Sequence, residues 1–353
     1  MLALCLMLAL CLTDPIENTD KKNQRIDQMN QQLTIAAKAV ALTAALILTS
    51  PATAQQYPSR PVRMLIPYTP GGPTDFVGRA IAQRLQKPLG QQVIVDNRPG
   101  GGGVIATEIV ARANPDGHTL LFATPGQLIT LPLLASKLPY DTFRDFMPLT
   151  KLVDTPQVLV ATAKLPVNTV AELIAYAKQR PGQLNYASVQ TGGTGHLGME
   201  LLKQITGIDM VHVAYKGTAP AMTDIIGGRV QLMFSSLPSV QSHVQAGRVK
   251  LLATAARQRT DAIKDTPTVN ETIKGYDLVT WYGLFVPRKT PNAVVSRLHR
   301  ELVSILTSAE IAQLFQAQGV DPAHTTPQEL ESLMRSETER WRKVIQTAGI
   351  KLD

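Results

Sequence analysis

From Val62 to Thr254 the chain alternates short apolar runs with amphipathic ones, and loops of small residues stand between them. This alternation constrains the fold more than any other feature, because parallel strands need a long crossover, usually a helix. It predicts an α/β protein, an open sheet with helices on its faces. Residues 63–67 read as a strand broken by Pro70-Gly71-Gly72-Pro73. Residues 74–87 read as a helix with Phe76, Val77, Ala80, Ile81 and Leu85 on one face and Gly90 as its stop. A strand at 92–96, the glycine run Gly100 to Gly103, a helix to Arg112, the Asn114-Pro115-Asp116-Gly117 turn and a strand at 119–123 complete a first set.

A second set starts near Val158. Val170, Leu173, Ile174 and Ala177 fall at i, i+3, i+4 and i+7, one helical face. Strands at 184–187, 210–214, 230–234 and 250–254 then alternate with helices at 196–206, 219–226 and 238–246. Two such sets predict two lobes with separate cores. Beyond Trp281 the chain offers a strand at 282–286 and then mostly helix, marked by Val294, Leu298, Leu302 and Ile305 and by Leu330, Met334, Trp341 and Ile345.

Composition narrows the chemistry. With 353 residues, 44% hydrophobic and 18% charged, the chain is long enough for about two globular domains. Its two cysteines, Cys5 and Cys11, leave the body free of thiols, which excludes cysteine-bound zinc, a CxxC redox centre and a cysteine nucleophile. The six histidines show no HExxH or HxxxH spacing, so no metal is expected. No GxGxxG or GxxxxGK[ST] occurs, so no nucleotide cofactor is expected, and a GxSxG elbow is missing. The net charge of +8 is scattered, without basic runs or interleaved aromatics, which argues against nucleic acid and suits long-range steering of small anions.

The first 54 residues form a leader. The apolar run 39–48 follows Lys38 and precedes Ala52-Thr53-Ala54, the A-x-A form of a signal-peptide cleavage site. As a membrane helix the run would rise only about 15 Å against roughly 30 Å of hydrocarbon. Export through a cleavable signal is expected, with Met29 as a possible true start and a mature chain beginning at about Gln55.

Three loops, Pro70 to Asp75, Gly192 to His196 and Lys216 to Pro220, share one design: a strand ends, side-chain bulk vanishes and a helix begins. The first N–H groups of a helix lack partners and the helix dipole is positive there, so backbone alone can hold an anion. Asp75 reads as a loop anchor or a ligand contact, and His196 as a hydrogen bonder that stabilises its loop. If the glycines matter because backbone N–H groups must approach the anion, Gly72→Val is expected to block binding by sterics and by unfavourable φ.

At these loops the sequence resembles a known family. Tyr57-Pro58-Ser59-Arg60-Pro61-Val62-Arg63, Pro67-Tyr68-Thr69-Pro70-Gly71-Gly72-Pro73-Thr74-Asp75 and Asp96-Asn97-Arg98-Pro99-Gly100 are similar to the substrate-binding proteins of tripartite tricarboxylate transporters, the Bug family. Further matches include Leu138-Pro139-Tyr140-Asp141, Asn185-Tyr186-Ala187-Ser188, Tyr215-Lys216-Gly217 and Trp281-Tyr282-Gly283-Leu284, and the resemblance covers Tyr57 to Asp353.

The resemblance implies a two-lobed periplasmic binding protein of the type II, Venus-flytrap form, each lobe a mainly parallel sheet flanked by helices. The lobes are expected at 57–154 plus 281–353 and at 155–280. Tyr68, Gly71, Gly72, Asp75 and Thr124 match the first-lobe contacts, and Gly192, Gly193, Thr194 and Ser235 the second-lobe contacts. Gly193 stands where the family often has Thr or Ser, Leu131 where Asn is usual and Ser235 where Asp is frequent, which touches ligand identity more than fold.

The expected function is capture of a small carboxylate by a monomeric, non-enzymatic receptor that serves integral membrane subunits of a secondary transporter. A periplasmic ligand sensor acting on a signalling protein is the alternative, and a serine hydrolase using Ser235 or Ser236 the remote one.

Overall fold

The computed structural model describes residues 19–48, 57–189, 191–259 and 263–351. They belong to two compact units, Met1–Gln56 and Tyr57–Asp353. In the first unit the described residues form one helix, α1 (Thr19–Leu48), which continues from the polar stretch straight into the apolar run. No described helix is long and apolar enough to cross a membrane. Cys5, Cys11, Ala52-Thr53-Ala54 and Gln55 lie outside the described residues.

The second unit begins with β1 (Val62–Ile66), α2 (Pro73–Leu89), β2 (Val93–Asn97), α3 (Val104–Ala111) and β3 (Thr119–Ala123). The strands pair in parallel in the order β2-β1-β3. Helix α2 stops where Gly90, at φ 67°, turns its N–H back onto the carbonyls of Gln86 and Lys87. After β3 the chain makes a π-helical turn, Gly126–Thr130, and runs directly into the short helix α4 (Leu131–Leu134).

The next strand, β4 (Phe146–Thr162), is 17 residues long, and sequence reasoning places only its second half. The register slips between Pro148 and Thr150 and between Lys151 and Val153. Each slip reverses which side chains face the core, so the period-2 signal never accumulates in the first half.

The second set follows: β5 (Asn185–Val189), α5 (Thr194–Thr206), β6 (Val211–Tyr215), α6 (Thr218–Gly227), β7 (Leu232–Ser236) and β8 (Val249–Thr254). Strands β6, β5 and β7 are parallel in that order, and β4 joins β7 and β8 antiparallel. The chain returns through β9 (Val279–Pro287), α7 (Asn292–Leu306), β10 (Asp321–Pro322) and α8 (Pro327–Ala348). Strand β9 lies antiparallel between β3 and the first part of β4.

Two sheets therefore share β4, three parallel strands at the outer side of each and antiparallel strands at the inner side. Asp154 pairs with Trp281 and Thr155 with Thr280, so both lobe boundaries expected from sequence fall on neighbouring rungs of the β4–β9 ladder.

The expectation of separate cores is corrected. One apolar cluster holds Leu65, Leu121 and Leu128 of the first set together with Leu159, Tyr186 and Leu197 of the second. Leu330, Trp341 and Val344 of α8 complete it, because α8 packs on β4, on α5 and on the Gly126–Thr130 turn at once. Only the opposite faces of the sheets have cores of their own, around Ile81, Phe122 and Leu298 in one and Val158, Met222 and Val240 in the other.

Candidate functional site

The first loop leads from β1 into α2. Gly71 stands at φ 88°, a conformation only glycine adopts cheaply. Gly72 is the N-cap and contributes no side-chain cap, so the first-turn N–H groups of α2 are left without a helical partner. Asp75, 5% exposed, is bound from three sides. Its Oδ2 accepts from the Gly71 N–H and from Arg79 Nε, both at 2.9 Å, and its Oδ1 accepts from Asn97 Nδ2 at 3.0 Å. Burial works to raise its pKa, but the bonds from Arg79, Gly71 and Asn97 prevail and hold the carboxyl below its ordinary value. Asp75 thus fixes the loop as a carboxylate, and the Gly71 N–H is spent on it.

Gly72 corrects one expectation. Its φ of −86° and ψ of 174° are open to any residue, so unfavourable φ plays no part in the effect of a substitution there. Steric exclusion remains: a Cβ at Gly72 meets nothing within 4 Å and projects into open space.

Tyr68 and Thr124 sit in a closed ring of hydrogen bonds completed by Gln127, a residue absent from the sequence-based site. Tyr68 Oη and Thr124 Oγ1 are 2.9 Å apart, Thr124 Oγ1 donates to Gln127 Oε1 at 2.9 Å, and Gln127 Nε2 donates to Tyr68 Oη at 2.9 Å. Gln127 Oε1 also takes the Thr124 N–H at 3.1 Å, and Nε2 reaches the Gly102 carbonyl at 3.3 Å.

Burial raises the Tyr68 pKa despite its hydrogen bonds with Thr124 and Gln127, so the phenol stays protonated. A Cβ at Gly103, at φ 99°, would stand 2.6 Å from Gln127 Cγ, and Gly100 to Gly103 all stand at positive φ, which explains why the glycine run is present without phosphate-loop spacing. The available signal for Gln127 was a polar residue directly before the apolar Leu128-Ile129 pair. Gln127→Leu should leave several of these buried groups unpaired at about 1–3 kcal/mol each. Denaturant unfolding checks this, and unchanged stability would refute the ring's structural role.

The second loop leads from β5 into α5. Gly192 stands at φ 75°, Gly193 is the N-cap without a side-chain cap, and Thr194 opens the helix. His196 Nδ1 accepts the Gly192 N–H at 2.9 Å. A Cβ at Gly195 would stand 2.6 Å from the Phe234 carbonyl oxygen. The missing side chain lets α5 rest on the end of β7, beside buried Ser235. The third loop differs: Gly217 has an extended φ of 177°, which any residue adopts, and no residue of the loop reaches back to its N–H groups.

The turn after β3 connects the two loops. Gln127, within it, holds Tyr68, while Leu134, at the end of α4, abuts Gly192: a Cβ there would meet Leu134 Cδ1 at 2.1 Å. A cavity of about 210 Å³ is lined by Gly71, Gly72, Pro73 and Phe76 from the first loop, with Pro238 facing them from the second set. Gly192, Gly193, Thr194 and Ser235 are outside its lining. A larger cavity, about 300 Å³, lies behind the turn against Leu133, Tyr140 and Arg342 and touches none of the predicted residues.

Serine chemistry finds little geometry here. Ser236 Oγ pairs with Ser239 Oγ at 2.8 Å. Ser188 Oγ lies 2.7 Å from His212 Nε2, and Ser188 is fully buried. Among the described residues no cluster of metal-ligating side chains occurs.

Comparison with known proteins shows the family. The profile of the tripartite tricarboxylate transporter family receptor matches residues 77–350. BugT of Bordetella pertussis is 35% identical over 309 residues, which cover 86% of this chain and 94% of BugT. The solved structure of Rpa4515 from R. palustris with adipate has a TM-score of 0.74 at 37% identity, covering 84% of this chain and 99% of that one. MatC from Rhodopseudomonas palustris with bound malate has a TM-score of 0.69 at 31% identity, covering 82% and 100%. With the profile matched from residue 77 to residue 350 and these relatives aligned along nearly their whole length, the chain belongs to the tripartite tricarboxylate transporter receptor family.

Proposed function

We propose that this receptor captures a small carboxylate between its two sets and delivers it, as a monomer, to integral membrane subunits of a secondary transporter. One observation carries the reading: two helices, α2 and α5, open at uncapped glycines on different sets, so backbone N–H groups are available to an anion from both sides. Adipate and malate in two solved relatives supply the chemical class. Gly72, Gly193 and Thr194 provide the anion contacts, with Ser235 beside them, and Gly71 and Gly192 set the turns that present them. Tyr68, Thr124 and Asp75 shape the first side. Capture needs no turnover.

The lobes divide at 57–154 plus 281–353 and 155–280, and the β4–β9 ladder at that division is the hinge. The protein acts in the periplasm after cleavage of its signal. Support comes from the A-x-A site and from the boundary between the compact units, which falls at Gln56. Tyr57 is already tied down, its hydroxyl donating to the Gly117 carbonyl at 2.8 Å.

A thermal-shift screen of mono-, di- and tricarboxylates, followed by small-angle scattering with the best binder, tests the reading. Closure of two lobes on one ligand should reduce the radius of gyration. An unchanged radius at saturating ligand would count against the clamp.

A further inference from the structure

The two loops are built alike to a degree the sequence does not show. In the first, Gly71 at φ 88° precedes the N-cap Gly72, and the side chain three residues into the helix, Asp75, takes the Gly71 N–H at 2.9 Å. In the second, Gly192 at φ 75° precedes the N-cap Gly193, and the side chain three residues into the helix, His196, takes the Gly192 N–H at 2.9 Å. Both N-caps are extended, at φ −86° and −69°, and both reaching side chains are 5% exposed. The reach resembles half of a capping box, moved one residue upstream.

Each latch is braced from behind. Arg79 and Asn97 hold Asp75. The His196 ring stacks on His212 at 3.7 Å between centroids and 12° between planes, and His212 Nε2 meets Ser188 Oγ at 2.7 Å. Since Nδ1 of His196 accepts a proton donor, the ring must be neutral. Burial, and then the neighbouring His212, push its pKa down to about 4.

We propose that His196 is the positioning residue of the second loop: its Nδ1 holds Gly192 in the left-handed conformation and thereby keeps the first-turn N–H groups of α5 aimed at the ligand, the part Asp75 plays for α2. The inference rests on the carboxylate-capture reading for its ligand arm alone. It also explains why two chemically different residues occupy matching places. Either a carboxylate or a neutral imidazole nitrogen can accept one N–H, and neither needs to touch the ligand.

Two variants separate latch from packing. His196→Asn keeps an acceptor where Nδ1 stood but loses the ring, whereas His196→Phe keeps the ring and its stack on His212 but loses the acceptor. The Gly192 amide of the Phe variant should exchange at least about tenfold faster than in wild type, and that of the Asn variant within about threefold of it. Calorimetry with adipate and malate should follow the same order, the Phe variant losing about tenfold or more in affinity for whichever probe the wild type binds.

Equal behaviour of the two variants, or wild-type binding by the Phe variant, overturns the proposal. If the wild type binds neither probe, the carboxylate reading fails for these acids while the exchange rates still decide the latch. If both variants fail to fold, the ¹⁵N shifts of the wild-type ring decide. A proton on Nδ1 of His196 rejects the latch, and a proton on Nε2 alone supports it.

Discussion

Gly72→Val should abolish ligand binding while the protein remains folded. The backbone at Gly72 is extended, so a β-branched residue is accepted without strain. Its Cβ meets no atom within 4 Å, and the branch enters the cavity of about 210 Å³ that Gly72 helps to line. The loss is therefore steric, and it falls on the space where a carboxylate would approach the N–H groups of α2.

Gly71→Val is the informative contrast, since at φ 88° the new side chain costs about 1–2 kcal/mol in backbone conformation and distorts the loop itself. Calorimetry with adipate and malate, run beside a thermal melt, separates the two. Retained affinity in folded Gly72→Val would place the ligand elsewhere.

Lowering the pH from 8 to 5 should stabilise the wild type relative to Glu337→Gln. Glu337 is 9% exposed on the inner face of α8, where its Oε2 accepts from Trp281 Nε1 at 2.9 Å and Arg340 Nη2 stands 3.9 Å from its other oxygen. Burial raises its pKa from 4.5 to about 7, and the bond from Trp281 and the charge of Arg340 offset only part of this.

In the unfolded chain the same carboxyl ionises near 4.5. Between that value and pH 7 the unfolded state loses its proton while the folded state keeps it, so stability falls as pH rises, by about 3 kcal/mol over the window at 1.36 kcal/mol per unit. A glutamine keeps an oxygen for Trp281 and does not titrate. Asp277, also raised by burial, adds a dependence of the same sign, and His196 and His212, both lowered by burial, add one of the opposite sign, so the test is the difference between wild type and variant. Urea unfolding of both at pH 5 and pH 8 measures it, and parallel pH profiles would refute the assignment to Glu337.

Much of the fold was readable because its signals are local. Residues 119–123 read as a strand because Leu120 to Ala123 is an unbroken apolar run, and Gly90 marks the end of α2 because a left-handed C-cap favours glycine. The first half of β4 was not readable. Two register slips erase the alternation there, and its burial comes from β9, more than a hundred residues away in the chain. Among the loops, small residues before a helix identified three candidates. Whether a loop carries a positive φ and a reaching acceptor depends on backbone geometry, which removed Gly217 from the set and shifted the glycine requirement from Gly72 to Gly71.

The sequence by itself determined the order of strands and helices, the glycine loops that open α2 and α5, and the absence of thiols from the body. Each depends on residue types within a few positions of one another, where periodicity, chain reversal and helix ends are decided. Tertiary structure alone decided that Gln127 closes a ring with Tyr68 across 59 positions, that His196 stacks on His212, and that one core runs beneath both sets. Those arrangements bring together groups far apart in the chain. A buried polar group takes whichever partner the packed chain brings within hydrogen-bond reach, and the sequence around it carries no record of that partner.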